Sequence, residues 1–318
     1  MNARLLPLIV GRIWHLVPVM VLATFVVFSL LQLVPGDPAV TLAGDSPTVE
    51  RIAEIRQLYG LDRPFLVQYA TWLWHAVHGD LGHSLLSSED VLHLVLDRLP
   101  NSLLIAAAAL VLSAAIGIPL GVAAATHVGS RIDAGVTGFV SLGVALPSFW
   151  LAMILVANFS LRLGWFPATG AVALTSAPAD ALRHAILPAL ALAAGGAAEL
   201  ARLLRSALIE VLASQYMRTL RAKGLGPVAI LWKHGLKNVS VTLLTILGLL
   251  VNRLLAGAVV IEAVFAIPGI GSLVAYSAIN KDFPVVQGVV LVLVVIVLLV
   301  NLLVDVLSVI LDPRVAEA

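Results

Sequence analysis

Residues 285–311 read VVQGVVLVLVVIVLLVNLLVDVLSVIL, with Asp305 as the one ionisable side chain. A helix apolar on every face has no side to offer water and belongs in hydrocarbon. About 20 apolar residues cross a ~30 Å bilayer core, and this run is longer. The rest of the chain follows suit: 318 residues, 60 % hydrophobic and 12 % charged, with a mean hydropathy of +1.04. Soluble domains carry roughly 45–50 % apolar and about 25 % charged residues. The net charge of +1 gives nucleic acid no field to follow. With no cysteine, disulfides, thiolate metal sites and a cysteine nucleophile are excluded. The sequence is that of an integral membrane protein.

Five further apolar runs precede this one, at about 16–34, 99–125, 135–161, 186–211 and 239–265. The expected fold is therefore an all-α polytopic membrane protein with six transmembrane helices. Arg4 and Arg12 precede the first run as they would in a signal peptide. That run is too long for an ordinary signal core, and it ends at Pro35-Gly36-Asp37-Pro38 rather than at a small-residue cleavage site. It reads as a retained helix. Gly, Ala and Ser recur at 106–109 and 193–198, where helix backbones must approach closely.

Basic residues set the orientation. With the N-terminus inside, Arg4, Arg12, Arg131, Arg202, Arg205, Arg218, Arg221, Lys223, Lys233, Lys237 and Arg314 are cytoplasmic. The outer loops then hold fewer bases over greater lengths, with most of the acids, among them Asp37, Asp45, Glu50, Glu54, Asp80 and Asp97. The expected plan is a cytoplasmic segment (1–15), a first span (16–34) and a large extracytoplasmic loop (35–98). A core of five spans (99–311) and a cytoplasmic tail (312–318) follow. Both termini lie inside.

Two loops carry helical patterns. In the outer one, Ser46-Pro47 opens a helix with Ile52, Ile55, Leu58 and Tyr59 on one side, closed by Gly60. A second helix follows Asp62, with Phe65, Leu66, Tyr69, Trp72, Leu73 and Ala76 together, ending at Gly79. Two readings stand: amphipathic helices on the outer membrane surface, or a platform for an extracytoplasmic partner. His75, His78, His83 and His93 lack a recognisable metal-ligand spacing and read as solvated. In the cytoplasmic loop at about 212–238, a short helix places Tyr216, Met217 and Leu220 on one face and Arg218 and Arg221 opposite, until Gly224 stops it. Gly226-Pro227 starts another, with Val228, Leu231 and Trp232 facing one way. The charge alone suits lipid headgroups; the helix–glycine–helix form also suits a groove in a soluble partner.

This hairpin resembles the signature loop of ABC importer permeases. Arg218-Thr219-Leu220 takes the place of the Glu-Ala-Ala-type tripeptide and Gly224 that of the following glycine; His234-Gly235-Leu236-Lys237 matches the downstream Ile-x-Leu-Pro element at its leucine. The peptide branch is nearer still, since Tyr-x-Arg-Thr-x-Arg-Ala-Lys-Gly is reproduced at 216–224. Four more blocks resemble the first permease subunit of dipeptide and oligopeptide importers: Pro35-Gly36-Asp37-Pro38; Tyr59-Gly60-Leu61-Asp62-Arg63-Pro64 through Gly79-Asp80-Leu81-Gly82; 163–170; and 264–271. The tail Asp312-Pro313-Arg314 is similar too. The blocks run in order over nearly the whole chain.

The resemblance implies a type I ABC importer permease fold in a bacterial inner membrane. It implies a pathway shared with a second homologous permease, two cytoplasmic ATP-binding subunits that hold ATP and Mg, and an extracytoplasmic solute-binding protein. Tyr216, Arg218, Thr219, Leu220, Arg221, Ala222, Lys223 and Gly224 would form the helix that couples to the ATPases. Peptides are the implied cargo, with nickel complexes, glutathione or haem as alternatives. The chain contains no Gly-Lys dipeptide and hence no Walker-type phosphate loop. The expectation is a transport subunit with no catalytic residue, metal or cofactor of its own. An ion-coupled secondary transporter is the competing class, but no inverted repeat supports it.

Ionisable residues within spans are functional candidates by default. Glu199 stands one turn from Arg202, and the two form a natural pair. Arg253 either lines a pathway or pairs with Asp305 or Glu199. Glu262, Pro268 and Gly269 lie in one outer block suited to a gate or hinge. Asn301 and Asp305 share a face of the last span.

Overall fold

The structure is a computed structural model and describes residues 2–32, 39–40, 48–58 and 60–311. The blocks Pro35-Gly36-Asp37-Pro38 and Asp312-Pro313-Arg314, the helix start at Ser46-Pro47 and Tyr59 lie outside the described residues. The chain divides into two compact units, Met1–Pro100 with Gly269–Leu299 and Asn101–Pro268 with Val300–Ala318. Among the described residues there is no sheet, only an antiparallel bridge between His83 and Asp90.

In the first unit α1 (Asn2–Gln32) is followed by two short helices, α2 (Val49–Leu58) and α3 (Phe65–Val77). Gly60 and Gly79 follow them at positive φ. Ile55 on α2 is buried, as its stripe requires. Leu66 is not on the packed side of α3: it is exposed, while Phe65 and Tyr69 turn inward. Phe65, Tyr69, Trp72 and Ala76 follow a seven-residue spacing, and adjacent Leu66 falls about 100° away from Phe65 on a helix of 3.6 residues per turn. This unit also holds the first turns of α4 (Val91–Thr126), all of α10 (Ile270–Ile279) and the first part of α11 (Phe283–Leu311). Their core is Leu81, Val91, Val95, Ile270, Leu273, Val285 and Val289. Buried Asp282 accepts from Ser84 Oγ (2.5 Å) and from the Leu85 amide (3.0 Å), which ties the segment before α4 to the turn before α11.

The second unit is organised around α7 (Pro178–Ala213), the most extensively buried of the long helices. The remainder of α4, α5 (Arg131–Ala145), α6 (Ser148–Leu155, extended by a π-helical turn to Arg162) and α9 (Ser240–Val264) also belong to it. The buried face of α7 is rich in small residues, among them Ala189, Ala191, Ala193, Gly196, Ala197, Ala198 and Ala201, with Leu187, Leu192, Leu200, Leu204 and Leu208 between them. On α4, Gly117 and Gly121 meet it, and a Cβ built on either would stand 2.8 Å from the Ala197 carbonyl oxygen or 2.9 Å from that of Ala201. Close approach of this kind lets two backbones gain dispersion contacts where lipid supplies no hydrophobic drive between helices.

Four helices, α4, α7, α9 and α11, are long and apolar enough to cross a membrane. The described apolar run of α1, Leu16–Leu30, is shorter. The run expected as one continuous third span is a correction: α5 and α6 meet at 96°. The cause is Pro147, which lacks an amide hydrogen and pushes Leu146 into extended backbone (φ −79°, ψ 123°). Apolar residues on both sides hid the break from a hydropathy reading.

The α4–α7 approach carries a direct test. Gly121→Leu forces a side chain against the Ala201 backbone and should destabilise the purified protein by about 1–3 kcal/mol, the usual range for overpacking. Gly138→Leu, in α5 with open space where its Cβ would stand and ordinary helical backbone, controls for apolar bulk. A thermal melt in which Gly121→Leu matches wild type would contradict the close packing.

Candidate functional site

After α7 the chain turns on one residue. Ser214 caps both helices: its amide donates to the Val211 carbonyl (3.1 Å), and its hydroxyl accepts from the Met217 amide (3.4 Å) at the start of α8 (Gln215–Ala222). Met217 is fully buried and roots α8, with Leu220 half-buried beside it. Tyr216, expected on the same apolar face, stands at the side and half-exposed; its hydroxyl lies 2.8 Å from His234 Nδ1. Arg221 Nη2 donates to the Leu212 carbonyl at 3.0 Å, tying α8 back to the last turn of α7. Arg218, Thr219, Ala222 and Lys223 point outward.

Gly224 ends α8 at φ +83° and donates its amide to the Arg221 carbonyl (2.9 Å). Open space surrounds the position where a Cβ would stand, so the left-handed backbone, not crowding, is what requires glycine there. Beyond Pro227 the structure corrects the expected apolar face. Ile230 is buried and Leu231 packs in the core, but Val228 and Trp232 are exposed. Residues Ile230–Gly235 form a π-helix, whose wider turn shifts every later side chain off the 3.6-residue phase.

Ion pairs cross between helices in this unit at Arg205–Asp133 and at Arg253–Glu199. Arg205 on α7 grips Asp133 on α5 in a fork, Nε to Oδ1 at 2.6 Å and Nη2 to Oδ2 at 2.8 Å, and the Gly129 amide adds a third donor at 3.0 Å. The sequence reading counted Arg205 only as a cytoplasmic charge and passed over Asp133. The local signal was Ser130-x-x-Asp133 ahead of an apolar run, a helix-start pattern that ordered a carboxylate at this end of α5. The second pair is Arg253 Nη1 on α9 with Glu199 Oε2 on α7. Glu199 thus bonds Arg253, the alternative set beside a cavity role for that arginine, and Arg202 is exposed on the next turn.

The Arg253–Glu199 pair is open to its surroundings, with side-chain exposures of 66 % and 25 %. Arg202, Ser206 and Glu210 continue the open side of α7, and Thr242 and Thr245 that of α9. Glu262 is different: fully buried, it accepts from Ser102 Oγ at 2.5 Å. The turn after it is tightly held. Ala266 adopts φ +47°, the Ile267 amide donates to the Glu262 carbonyl (2.8 Å), and Asn101 Nδ2 donates to the Pro268 carbonyl (2.8 Å). In the other unit Gly269 caps α10, its amide donating to Ser272 Oγ at 3.1 Å. Asp305 on α11 is half-buried and engaged in an interaction. Among the described residues no cluster of three histidines or carboxylates is placed to hold a metal ion. His75 bonds Asp80 (3.1 Å) and His93 approaches Asp97 (3.3 Å), all four well exposed.

Long apolar helices packed on a face rich in small residues define a polytopic membrane protein. Residues 5–106 match the N-terminal model of the binding-protein-dependent transport system membrane components, and residues 117–317 match the model of the binding-protein-dependent transport system inner membrane component. The chain belongs to this family of inner-membrane permeases. It is 42 % identical over 308 residues to a protein of Brucella abortus named as a putative peptide transport system permease, covering 97 % of this chain and 98 % of the relative. The oligopeptide transport system permease protein AppB of Bacillus subtilis is 37 % identical, with 96 % and 98 % covered. The glutathione transport system permease protein GsiC of Salmonella choleraesuis is 36 % identical over the same shares. Among solved structures, the inward-facing MetNI methionine ABC transporter superposes with a TM-score of 0.56 at 21 % identity. The match covers 69 % of this chain and 96 % of that one, and it establishes the fold.

The exposed ion pair distinguishes water from lipid. If Arg253 faces an aqueous space, Arg253→Ala removes an accessible pair and should change stability by less than about 1 kcal/mol. A charge facing lipid costs about 2.5–3.5 kcal/mol, so its removal would raise the melting temperature clearly. Melting of the purified variant against wild type separates the two, and a near-unchanged value is expected.

Proposed function

We propose that this chain is the permease subunit of an ATP-driven peptide importer. It forms the pathway with a second homologous permease, receives cargo from an extracytoplasmic binding protein and couples through α8 to two ATP-binding subunits. The observation that carries the coupling role is α8 itself: a capped, two-turn helix rooted by Met217, ended by Gly224 and exposing Arg218, Thr219, Ala222 and Lys223. A helix held at its base and bare on its outer side suits insertion into a groove of a soluble partner. ATP and Mg belong to those partners.

The open stripe of Glu199, Arg202, Ser206 and Arg253 supports a wet pathway on this side of the second unit. Buried Glu262 suits a structural part in a gate beside Pro268 and Gly269 rather than contact with cargo. Peptide cargo is favoured by relatives named for peptide and oligopeptide transport. Glutathione is a second reading, favoured by the relative named for it.

Gly224→Leu tests coupling. A branched residue held at φ +83° costs about 1–2 kcal/mol locally, enough to reorient the turn without unfolding the spans. The expected result is normal complex yield and ATP hydrolysis with uptake largely lost, and partial recovery in Gly224→Asn, since Asn tolerates left-handed backbone. Wild-type uptake in the leucine variant would refute the role of α8. Orientation is read separately, on a background free of native cysteine. Ser87→Cys should react with an impermeant thiol reagent added to intact cells, whereas Val128→Cys should react only in inverted vesicles; the opposite labelling would place α8 outside.

A further inference from the structure

The two helices of the first outer segment differ in kind. Helix α2 exposes Glu50, Arg51, Glu54 and Arg56. Helix α3, FLVQYATWLWHAV, has no Asp, Glu, Lys or Arg over its 13 residues. Its inner side packs on α1: Phe65 and Tyr69 meet Phe25 and Phe28 with ring centroids 5.2–5.7 Å apart, and Trp72 lies 6.0 Å from Phe28. Two of its polar side chains are spent on backbone carbonyls, and His75, near its C-terminal end, pairs with Asp80. The Tyr69 hydroxyl donates to the Val21 carbonyl at 2.9 Å and lies 2.9 Å from Thr24 Oγ1, while Gln68 Nε2 donates to the Leu61 and Arg63 carbonyls.

The outer side of α3 is Leu66, Ala70, Trp74 and Val77, spaced as one stripe along the helix, and the three large residues are 66 %, 67 % and 70 % exposed. Water is a poor environment for a continuous apolar stripe of this kind. A soluble protein partner would find no charge to steer it or set its register. On α1, Leu22, Val26 and Leu30 are also exposed, so the apolar surface continues from α3 onto the helix it packs against. Val21, the carbonyl that receives Tyr69, lies about 16 Å along α1 from its end at Gln32, at 1.5 Å per residue. That depth explains why the tyrosine hydroxyl must be satisfied by α1 rather than by solvent. With a length of about 20 Å, α3 is too short to cross the hydrocarbon. Trp74 stands one turn before His78, close to the exposed His75–Asp80 pair, where the chain returns to polar surroundings.

We infer that α3 is a membrane-embedded, non-spanning helix whose Leu66–Ala70–Trp74–Val77 face is covered by acyl chains in the outer half of the bilayer. It thereby widens the lipid-facing surface of α1, leaving α2 and the segment around Ser87 as the water-facing part of the outer region. The inference rests on α1 crossing the membrane with its C-terminal end outside.

The test places one nitroxide-labelled cysteine per variant in the full chain, reconstituted in proteoliposomes. Leu66→Cys, Ala70→Cys and Trp74→Cys report α3, Leu22→Cys reports α1 and Ser87→Cys reports water. Collision with oxygen, which concentrates in lipid, is compared with collision with a water-soluble nickel chelate. The α3 labels should resemble Leu22→Cys, with oxygen dominating several-fold, and Ser87→Cys should show the reverse. If Leu22→Cys reads lipid while the α3 labels read water, or are shielded from both reagents as under a protein partner, the inference falls. If Leu22→Cys itself reads water, the spanning reading of α1 has failed and the inference fails with it. Ala70→Cys, the mildest replacement, decides where the larger ones reduce yield.

Discussion

Hydrocarbon offers no hydrogen-bond partner to a peptide group, and that single constraint shapes this chain from end to end. Every long apolar run becomes a helix because only a helix satisfies its own amides. Once the helices exist, the apolar solvent gives them little reason to associate, so association depends on how closely backbones can approach. Gly117 and Gly121 on α4 against the alanine face of α7 answer that need. Helix breaks obey the same constraint. At Pro147 the chain turns sharply, yet the Leu146, Trp150 and Leu151 amides on either side still find carbonyls three or four residues back.

Charge is distributed under the same rule. Asp133 is buried but receives three donors, and Arg205 spends its fork on it. Glu262 is buried and accepts a short bond from Ser102. The Glu199–Arg253 pair combines a position deep in long helices with broad exposure. An exposed pair at that depth is costly against lipid, and water on its open side, as the proposed pathway supplies, removes that cost. Tyr69 on α3 shows the neutral version of the rule, with its hydroxyl spent on α1.

What the sequence made legible follows from which interactions are local. Hydropathy located α4, α7, α9 and α11, because each is a long run whose cause is its own composition. Helix α8 was legible because Ser214 and Gly224 sit at its two ends and their capping chemistry is local. The 96° turn at Pro147 was not, since residues on either side are equally apolar and one proline is easily absorbed into a long run. The exposure of Trp232 was not, because it lies within a π-helical stretch, Ile230–Gly235, whose wider turn departs from the 3.6-residue phase and leaves no compositional mark. The ion pairs join residues 72 and 54 positions apart, and such pairing is decided by helix packing alone. Leu66 shows the limit of a one-face reading: α3 is apolar on two sides, and only its packing on α1 reveals which side is left over.

The joint between α7 and α8 has a mechanical consequence. Ser214 is at once the last cap of one helix and the first cap of the next, and Arg221 bonds back across it to Leu212. Met217 is buried, and Tyr216 is tied to His234. Four attachments around a one-residue corner leave α8 little freedom to swing independently of the end of α7. Along α7 the small-residue face is packed too closely against α4 for local give; a Cβ at Gly117 or Gly121 already lacks room. Any displacement of α7 would therefore be a tilt or slide of the whole helix. Glu199 lies about 22 Å up the same helix from Ser214, at 1.5 Å per residue. A shift of α7 along α9 would change the registry of Glu199 with Arg253, so that exposed pair is mechanically continuous with α8 through one rigid helix.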